Sequence, residues 1–207
     1  MAAVATKLDT REVILDATDR LMARFGFRKM TMDDLAKEAK VSKRTIYLYF
    51  QSKEDVGLSS IGRVVEGVHQ RLQDVAESDL PALQKIHDML MDRVLGRIEA
   101  VRDYYHGLDE LFEVVRPAYM ARRKMYFEKE LELIASVLES GCRAGEIECY
   151  DIPATANALL LATNAFLPYS LSARELGQPE EVKHRLEAML QLLMRGLRPQ
   201  HDHQENP

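Results

Sequence analysis

Apolar residues recur at spacings of three and four along almost the whole chain, and no stretch shows sustained polar–apolar alternation. That periodicity restricts the chain to helices packed on helices. Breakers and caps divide it. Val13, Ile14, Ala17, Leu21, Met22 and Phe25 share one face of a helix running from near Thr10 to Phe25. Gly26 follows where a helix closes in the left-handed conformation. A second helix opens at Thr31, with Asp34 completing a capping box, and carries Met32, Leu35, Ala36 and Ala39 inward. After the turn Lys40-Val41, Ser42 caps a third helix, with Ile46, Tyr47 and Phe50 on one side. The run from Ser52 to Asp55 caps a fourth, whose apolar face holds Val56, Ile61, Val64, Val65, Val68, Leu72 and Val75.

Further helices are expected from Pro81 through Ile98, over Tyr104 to Val115 with an end before Pro117, and from Pro117 to Ala144 with Gly145 as its stop. The last of these has two apolar stripes and should sit centrally in its bundle. A helix over Pro153 to Leu171 is apolar nearly all round, and a final one covers Pro179 to Leu197. The expectation is an all-α fold of about nine helices. A small three-helix unit occupies residues 1–55, a helical bundle occupies 56–198, and 199–207 form a polar, disordered tail.

Two cysteines, Cys142 and Cys149, form no secretory framework, and the first ten residues lack an apolar leader segment. Both point to the cytoplasm. The longest apolar run, Ala158 to Ala162, is too short to span a bilayer, so no membrane role is expected. Net charge is −5, yet residues 1–55 hold eleven Lys and Arg against nine Asp and Glu. Between Arg28 and Lys53 seven basic residues face three acidic ones. A cationic segment on an acidic body suits a DNA reader, although charge alone leaves an ordinary mixed surface equally open.

The segment Thr31 to Phe50 decides between them. Two short helices meet at a tight turn, and the second begins with Ser42, Lys43, Arg44 and Thr45. A helix entering the major groove reads bases from its N-terminal turn. Arg44 suits a guanine edge, Lys43 and Thr45 suit bases or phosphates, and Leu48 suits a thymine methyl. Tyr47 and Tyr49 can direct hydroxyls to phosphates, while Thr31 and Lys53 stand at helix starts where phosphates bind. A plain three-helix core with a polar face is the competing reading.

The run TMDDLAKEAKVSKRTIYLYFQSKEDV resembles the helix-turn-helix of TetR-type (tetracycline-repressor-like) regulators, over roughly Arg11 to Val56. The likeness rests on the Thr before the second helix, Leu35-Ala36, Val41-Ser42, Thr45-Ile46-Tyr47, Tyr49-Phe50 and Ser52-Lys53-Glu54. It implies Lys43, Arg44, Thr45, Leu48 and Tyr49 as groove residues. Phosphate contacts fall to Thr31, Ser42, Tyr47 and Lys53, and core positions to Ile46 and Phe50. Lys40 departs from the usual glycine at the turn, so a side-chain-bearing residue must take positive φ there, at about 1 kcal/mol. Arg44 stands where a small residue is common.

One such motif buries too little surface for high specificity, so two copies one DNA turn apart are expected, hence a homodimer on a palindromic operator. The all-apolar helix and the last helix should build a two-fold interface from Ala158, Ala162, Phe166, Leu186, Met189, Leu190 and Leu193. The resemblance also implies an effector pocket for a small apolar or amphipathic molecule. Its candidate lining is Met89, Tyr104, Tyr105, Phe112, Tyr119, Met120, Tyr126 and Phe127, with Arg93, His106, Asp109 and Arg123 as polar anchors. Binding there would release DNA and relieve repression. The alternative is a regulator or architectural protein without a small effector. No catalytic constellation, cofactor motif or metal-ligand spacing is found. The tail pair His201 and His203 reads as a remnant, and the two cysteines read as structural rather than redox-active.

Overall fold

The caps and apolar stripes fold as the periodicity requires, in a computed structural model that describes residues 2–167 and 173–199. Side chains at 2–9, 106, 173 and 174 are outside that description. The helices are α1 (Ala2–Phe25), α2 (Met32–Glu38), α3 (Lys43–Tyr47), α4 (Lys53–Glu77) and α5 (Ala82–Ala100). A 3₁₀ turn, Arg102–Gly107, leads into α6 (Leu108–Arg143), followed by α7 (Ile152–Asn164), α8 (Ala173–Leu176) and α9 (Pro179–Gly196). No strand occurs among the described residues.

Helix α1 starts upstream of Thr10, because the alanine-rich segment before it holds no breaker. Gly26 and Gly145 end α1 and α6 at φ of 77° and 73°, as expected of left-handed stops. The largest departure lies at Pro117, which does not separate two helices but sits inside α6. Proline in a helix interior costs about 3 kcal/mol. Burial offsets it here: Leu111 and Val115 before the proline and Tyr119 after it lie in the core, so breaking the helix would expose that face. Helix α7 stops at Asn164 instead of reaching Leu171, with Ala165 to Leu167 in a turn; residues 168–171 lie outside the described part.

Helix α5 touches α4, α6, α7 and α9, and its Ile86, Met89, Leu90 and Val94 are fully buried. The long α6 packs on α4, α5 and α7, as its wide apolar face demands. Three charged groups are buried among these helices. Glu130 of α6 accepts from Arg93 Nε at 2.8 Å and from the Arg97 guanidinium, both on α5. Arg93 then reaches α7: Nη1 donates to Thr163 Oγ1 at 2.6 Å and to the Leu160 carbonyl at 3.3 Å, and Nη2 donates to Asn164 Oδ1 at 2.8 Å. One carboxylate and two guanidiniums thus tie three helices together.

At the far end of α6, the Cys142 and Cys149 sulfurs are 3.1 Å apart, both half-buried. Burial, with Cys142 alongside, pushes the Cys149 thiol up to about 11, so it is protonated and unreactive at neutral pH.

Burial alone would raise the Glu130 carboxyl, but Arg97 and Arg93 more than offset it and hold it below its ordinary value of 4.5. A depressed carboxylate stabilises the fold above its unfolded pKa, and that contribution disappears as pH falls through the folded one. Glu130→Gln should therefore flatten the loss of stability below pH 4.5 in pH-dependent urea melts. At neutral pH the same variant, which takes the carboxylate charge away from two buried guanidiniums, should lose about 3–5 kcal/mol.

Candidate nucleic-acid interface

The N-terminal unit is built by its caps. Thr31 takes an extended conformation, and its Oγ1 accepts from the Asp34 amide at 3.1 Å while Asp34 Oδ2 accepts from the Thr31 amide at 3.2 Å. The Thr31 hydroxyl, donating at 2.6 Å, holds the Asp34 carboxyl below its ordinary range. Helix α2 ends in a Schellman turn, with Lys40 N–H on the Lys37 carbonyl at 3.2 Å and Val41 N–H on the Ala36 carbonyl at 3.0 Å. That geometry needs a left-handed residue, and Lys40 supplies it at φ 55° without being glycine. Ser42 then caps α3 by accepting from the Thr45 amide at 2.9 Å.

These constraints fix which way α3 faces. Ile46 and Phe50 are buried in the core with Leu35, Met30 and Ile14. Outward lie Ser42, Lys43, Arg44, Tyr47 and Leu48, all exposed, with Thr45 and Tyr49 half-buried at the edge. Leu48 is 73% exposed and Tyr47 50%, unusual values for large apolar side chains so close to a core. Lys43 Nζ sits 2.9 Å from Asp33 Oδ2, an exposed pair that a phosphate can replace. Arg44 has no hydrogen bond or ion pair among the described residues, so its five donors are available to a ligand. The face is chemically that of a groove reader: hydroxyls, two cations and one apolar contact in the first turns of a short helix.

Lys53 is elsewhere occupied. Its ammonium donates to the carbonyls of Phe27, Arg28 and Met30 at 2.9, 3.0 and 3.0 Å, over the Phe27 ring. All three protons are used, so in the chain alone Lys53 closes the loop between α1 and α2.

The expected effector residues are not brought together in one site. Phe112 and Tyr119 line a cavity of about 40 Å³ between α4 and α6, with Ile61, Val64, Val65, Arg97, Val101 and Leu108. Met89 lies in the core away from it, and Met120 faces outward, 42% exposed, because one residue step turns it about 100° round α6 from the buried Tyr119. Tyr104 and Tyr105 are buried on the 3₁₀ turn, and burial pushes the Tyr104 hydroxyl up; neither ring lines the cavity between α4 and α6. Tyr126 and Phe127 are half-buried further along α6, Phe127 under the Arg123 guanidinium at 5.7 Å. Arg93 is fully engaged in the Glu130 network, Asp109 is exposed, and the His106 side chain lies outside the description. The cavity's charged member, Arg97, was missed by the sequence reading. A signal existed: Arg93 and Arg97 continue the buried face of Ile86, Leu90 and Val94 at helical spacing.

The expected dimer residues divide in the same way. Leu186 and Leu190 are fully buried on the face of α9 that covers α5, so they hold the protomer together and offer nothing to a twin. Met189, Leu193, Ala162 and Phe166 are half-buried, and Ala158 is exposed. Beside Ala158, Ala154 and Leu161 face outward on α7, followed by Ala165 in the turn after it, with Ala188 and Leu192 outward on α9. Leu161 is 53% exposed and Leu192 68%.

Comparison with known proteins agrees with this geometry. Residues 14–57 match the family described as bacterial regulatory proteins, tetR family. The HTH-type transcriptional regulator YhgD of Bacillus subtilis is 29% identical over 157 residues, covering 74% of this chain and 80% of that protein. The HTH-type transcriptional repressor NemR of Escherichia coli is 38% identical over 73 residues, covering 35% of this chain and 37% of NemR. Among solved structures, a transcriptional regulator of the TetR/AcrR family from Thermobifida fusca superposes with a TM-score of 0.70 at 23% identity, over 92% of this chain and 100% of that one. At that identity the likeness speaks for the fold.

Two substitutions separate reading from scaffolding. In binding measured across a panel of duplexes, Arg44→Ala should lose about 1–3 kcal/mol at one base position and relax preference there. Lys53→Met should cost about 1–3 kcal/mol of folding stability through the abandoned carbonyls and leave the slope of affinity against salt unchanged. A slope shallower by about one for Lys53→Met would restore its role as a phosphate contact.

Proposed function

We infer that this chain, which belongs to the TetR family of bacterial regulatory proteins through its segment 14–57, is a DNA-binding transcriptional regulator. It acts as a repressor, holding a palindromic operator as a homodimer and releasing it when a small apolar or amphipathic molecule binds. The observation that carries this reading is the outward face of α3, where Arg44 and Lys43 stand exposed beside Thr45 and Leu48 while Ile46 and Phe50 anchor the helix from behind. Each copy presents its first turn to one major groove, with Thr31, Ser42 and Tyr47 at the phosphates. The work is done in the cytoplasm, where the operator is. No described helix is long and apolar enough to cross a membrane.

The dimer is formed through α7 and α9. Each carries outward apolar residues, Leu161 on α7 and Leu192 on α9, and small Ala154, Ala158 and Ala165 allow close helix approach. The division between a DNA-binding unit at 1–55 and a bundle at 56–198 is bridged by α4, which begins in one and runs through the other.

Release follows from how the small unit is tethered. Arg63 of α4 donates to Glu12, Asp16 and Asp19 of α1 at 3.1, 2.7 and 2.6 Å. The loop after α1 is held by α6, with Glu110 Oε2 accepting from the Arg28 amide at 3.3 Å and Glu113 paired with the Arg28 guanidinium. The cavity lies between these same two supports, α4 and the start of α6. A molecule that widens it moves Leu108 and Phe112 away from Ile61 and Val64, and the reading helices shift with them. Occupancy of DNA changes only as far as the molecule prefers the widened conformer.

The second reading, a regulator or architectural protein without a small effector, draws on the cavity's size: about 40 Å³ is far below the few hundred needed by an ordinary ligand. Selection of bound duplexes from a random pool tests the primary reading. Recovered sites should be palindromic, and an absence of any enriched sequence would reject it. The paired change Leu161→Glu with Leu192→Glu should leave the helical fold intact, because both side chains are exposed in the protomer. It should yield monomers in sedimentation equilibrium and reduce operator affinity about a hundredfold or more.

A further inference from the structure

One reactive pair lies outside both the cavity and the reading face: the Cys142 and Cys149 sulfurs, 3.1 Å from each other and seven residues apart in sequence. Their approach is imposed by the turn between α6 and α7 and does not depend on the thiols. At the end of α6 the Ala144 amide donates to the Ser140 carbonyl at 3.0 Å, and Gly145 then reverses the chain at φ 73°. The Glu146 and Ile147 amides both donate to the Gly141 carbonyl, at 2.9 and 3.3 Å. Ile147 is buried against Gly141, where a Cβ would lie 2.8 Å from Ile147 Cδ1 and 2.6 Å from Ala82 Cβ. Glu146 Oε2 accepts from the Ala82 amide at 2.6 Å, and the Glu148 amide donates to the Leu197 carbonyl at 2.9 Å. The turn is thus fastened to α5, to α6 and to the end of α9. It delivers the two sulfurs to within about 1 Å of disulfide bonding distance.

We propose that Cys142 and Cys149 form a reversible dithiol–disulfide site, oxidised by small disulfides of the glutathione type, which ties the last turn of α6 to the segment feeding α7. Both cysteines are half-buried, and Arg143 to Glu146, Glu148 and Tyr150 around them are exposed, which leaves the pair at the surface and open to a small reagent. Burial and the neighbouring Cys142 keep the proton on Cys149 at neutral pH, and Asp151 adds to the effect. That setting does not suit a fast peroxide sensor, which needs an acidic thiol beside cations. It suits a pair brought to equilibrium by exchange, in which Cys142 attacks and Cys149 resolves.

The reaction opens when Cys142, as thiolate, attacks one sulfur of the small disulfide. The reagent's S–S bond breaks, one small thiolate leaves and takes up a proton, and Cys142 carries a mixed disulfide. Cys142 is then neutral, so its charge no longer helps to hold the proton on Cys149. Cys149 releases that proton to water, its sulfur attacks Cys142 Sγ, and the second small thiolate departs and is protonated. Two protein thiols have been oxidised to one disulfide, and one small disulfide has been reduced to two thiols. Because the sulfurs already touch, this closure outruns the arrival of a second reagent molecule. Only Tyr150, wholly exposed, stands between Cys149 and Asp151, whose Oδ1 caps α7 by accepting from the Ala154 amide at 2.9 Å. The other end of α7 is anchored already, through Leu160, Thr163 and Asn164 to Arg93. The disulfide supplies an anchor at its start. So short a ring adds little to global stability, and its effect falls on local opening of the first turns of α7.

The test uses the full chain, reduced and then kept without oxygen in mixtures of reduced and oxidised glutathione, quenched with iodoacetamide and weighed intact. The product should be lighter than the reduced chain by two hydrogens, carry neither alkyl groups nor glutathione, and yield a cross-linked peptide joining Cys142 to Cys149. Its fraction should follow the glutathione ratio in both directions, and dithiothreitol should restore two alkylatable thiols. Cys149→Ser should stop with one glutathione on Cys142, whereas Cys142→Ser should be modified about fivefold or more slowly. In hydrogen exchange the first turns of α7 should be protected about threefold or more by oxidation, with α3 unchanged. Two free thiols in excess oxidised glutathione, glutathione on both cysteines, or a disulfide between chains would each overturn the proposal. Faster modification of Cys142→Ser than of Cys149→Ser would overturn the order of attack, and unaltered exchange at the start of α7 would overturn the tie. None of these readouts involves DNA, so their failure is separate from a failure of the DNA-binding reading.

Discussion

A helix of five residues cannot hold itself in water, since nucleation costs more than so few hydrogen bonds return. Yet α3 must present its outer face to DNA at fixed tilt, so its geometry is imposed from outside. Ser42 closes its first turn, the Lys40 turn sets its angle to α2, and Ile46 and Phe50 fasten it to the core beneath α1. Each device is local and small, and each is needed because the helix has no cooperative length of its own. The same economy leaves Arg44 and Leu48 standing clear of the protein.

That scaffold is in turn carried by the bundle. Lys53 fills the carbonyl ring of the loop before α2, Arg63 binds three carboxylates of α1, and two glutamates of α6 grip Arg28. Most of these contacts are exposed pairs of small individual worth. Such a joint is inexpensive to shift. The bundle itself is locked differently, by the buried Arg93–Glu130–Arg97 cluster that spans α5, α6 and α7. A hard core beneath a soft joint is what a ligand-dependent reader requires, because cavity changes then move the joint instead of dissipating in the core.

Much of this was legible in the sequence wherever the cause is local. The caps at Thr31, Ser42 and Ser52 and the stops at Gly26 and Gly145 depend on side chains within three or four residues. The strained Lys40 turn followed from the same local logic. What the sequence concealed depends on distant partners. Pro117 is tolerated inside α6 because residues on both sides share a buried face, a balance no local rule contains. Lys53 looked like a phosphate ligand because its position at a helix start is known before the carbonyls of Phe27, Arg28 and Met30 are seen to surround it. Leu186 and Leu190 fit an interface by spacing, but the same stripe serves α5 within the protomer. Met120 and Tyr119 are neighbours in sequence, yet one is exposed and the other buried, so a list of ring and sulfur side chains could not say which line the cavity.

The central claim is geometric: two copies of α3 enter successive major grooves on one side of the duplex. Methylation interference at guanine N7 on a selected operator reads this directly, because N7 lies on the major-groove floor. The account predicts two clusters of interfering guanines, centred about 10 base pairs apart or a multiple of that, related by the operator's dyad and weakened together by Arg44→Ala. A single cluster, clusters unrelated by a dyad, or interference unaffected by loss of Arg44 would contradict it.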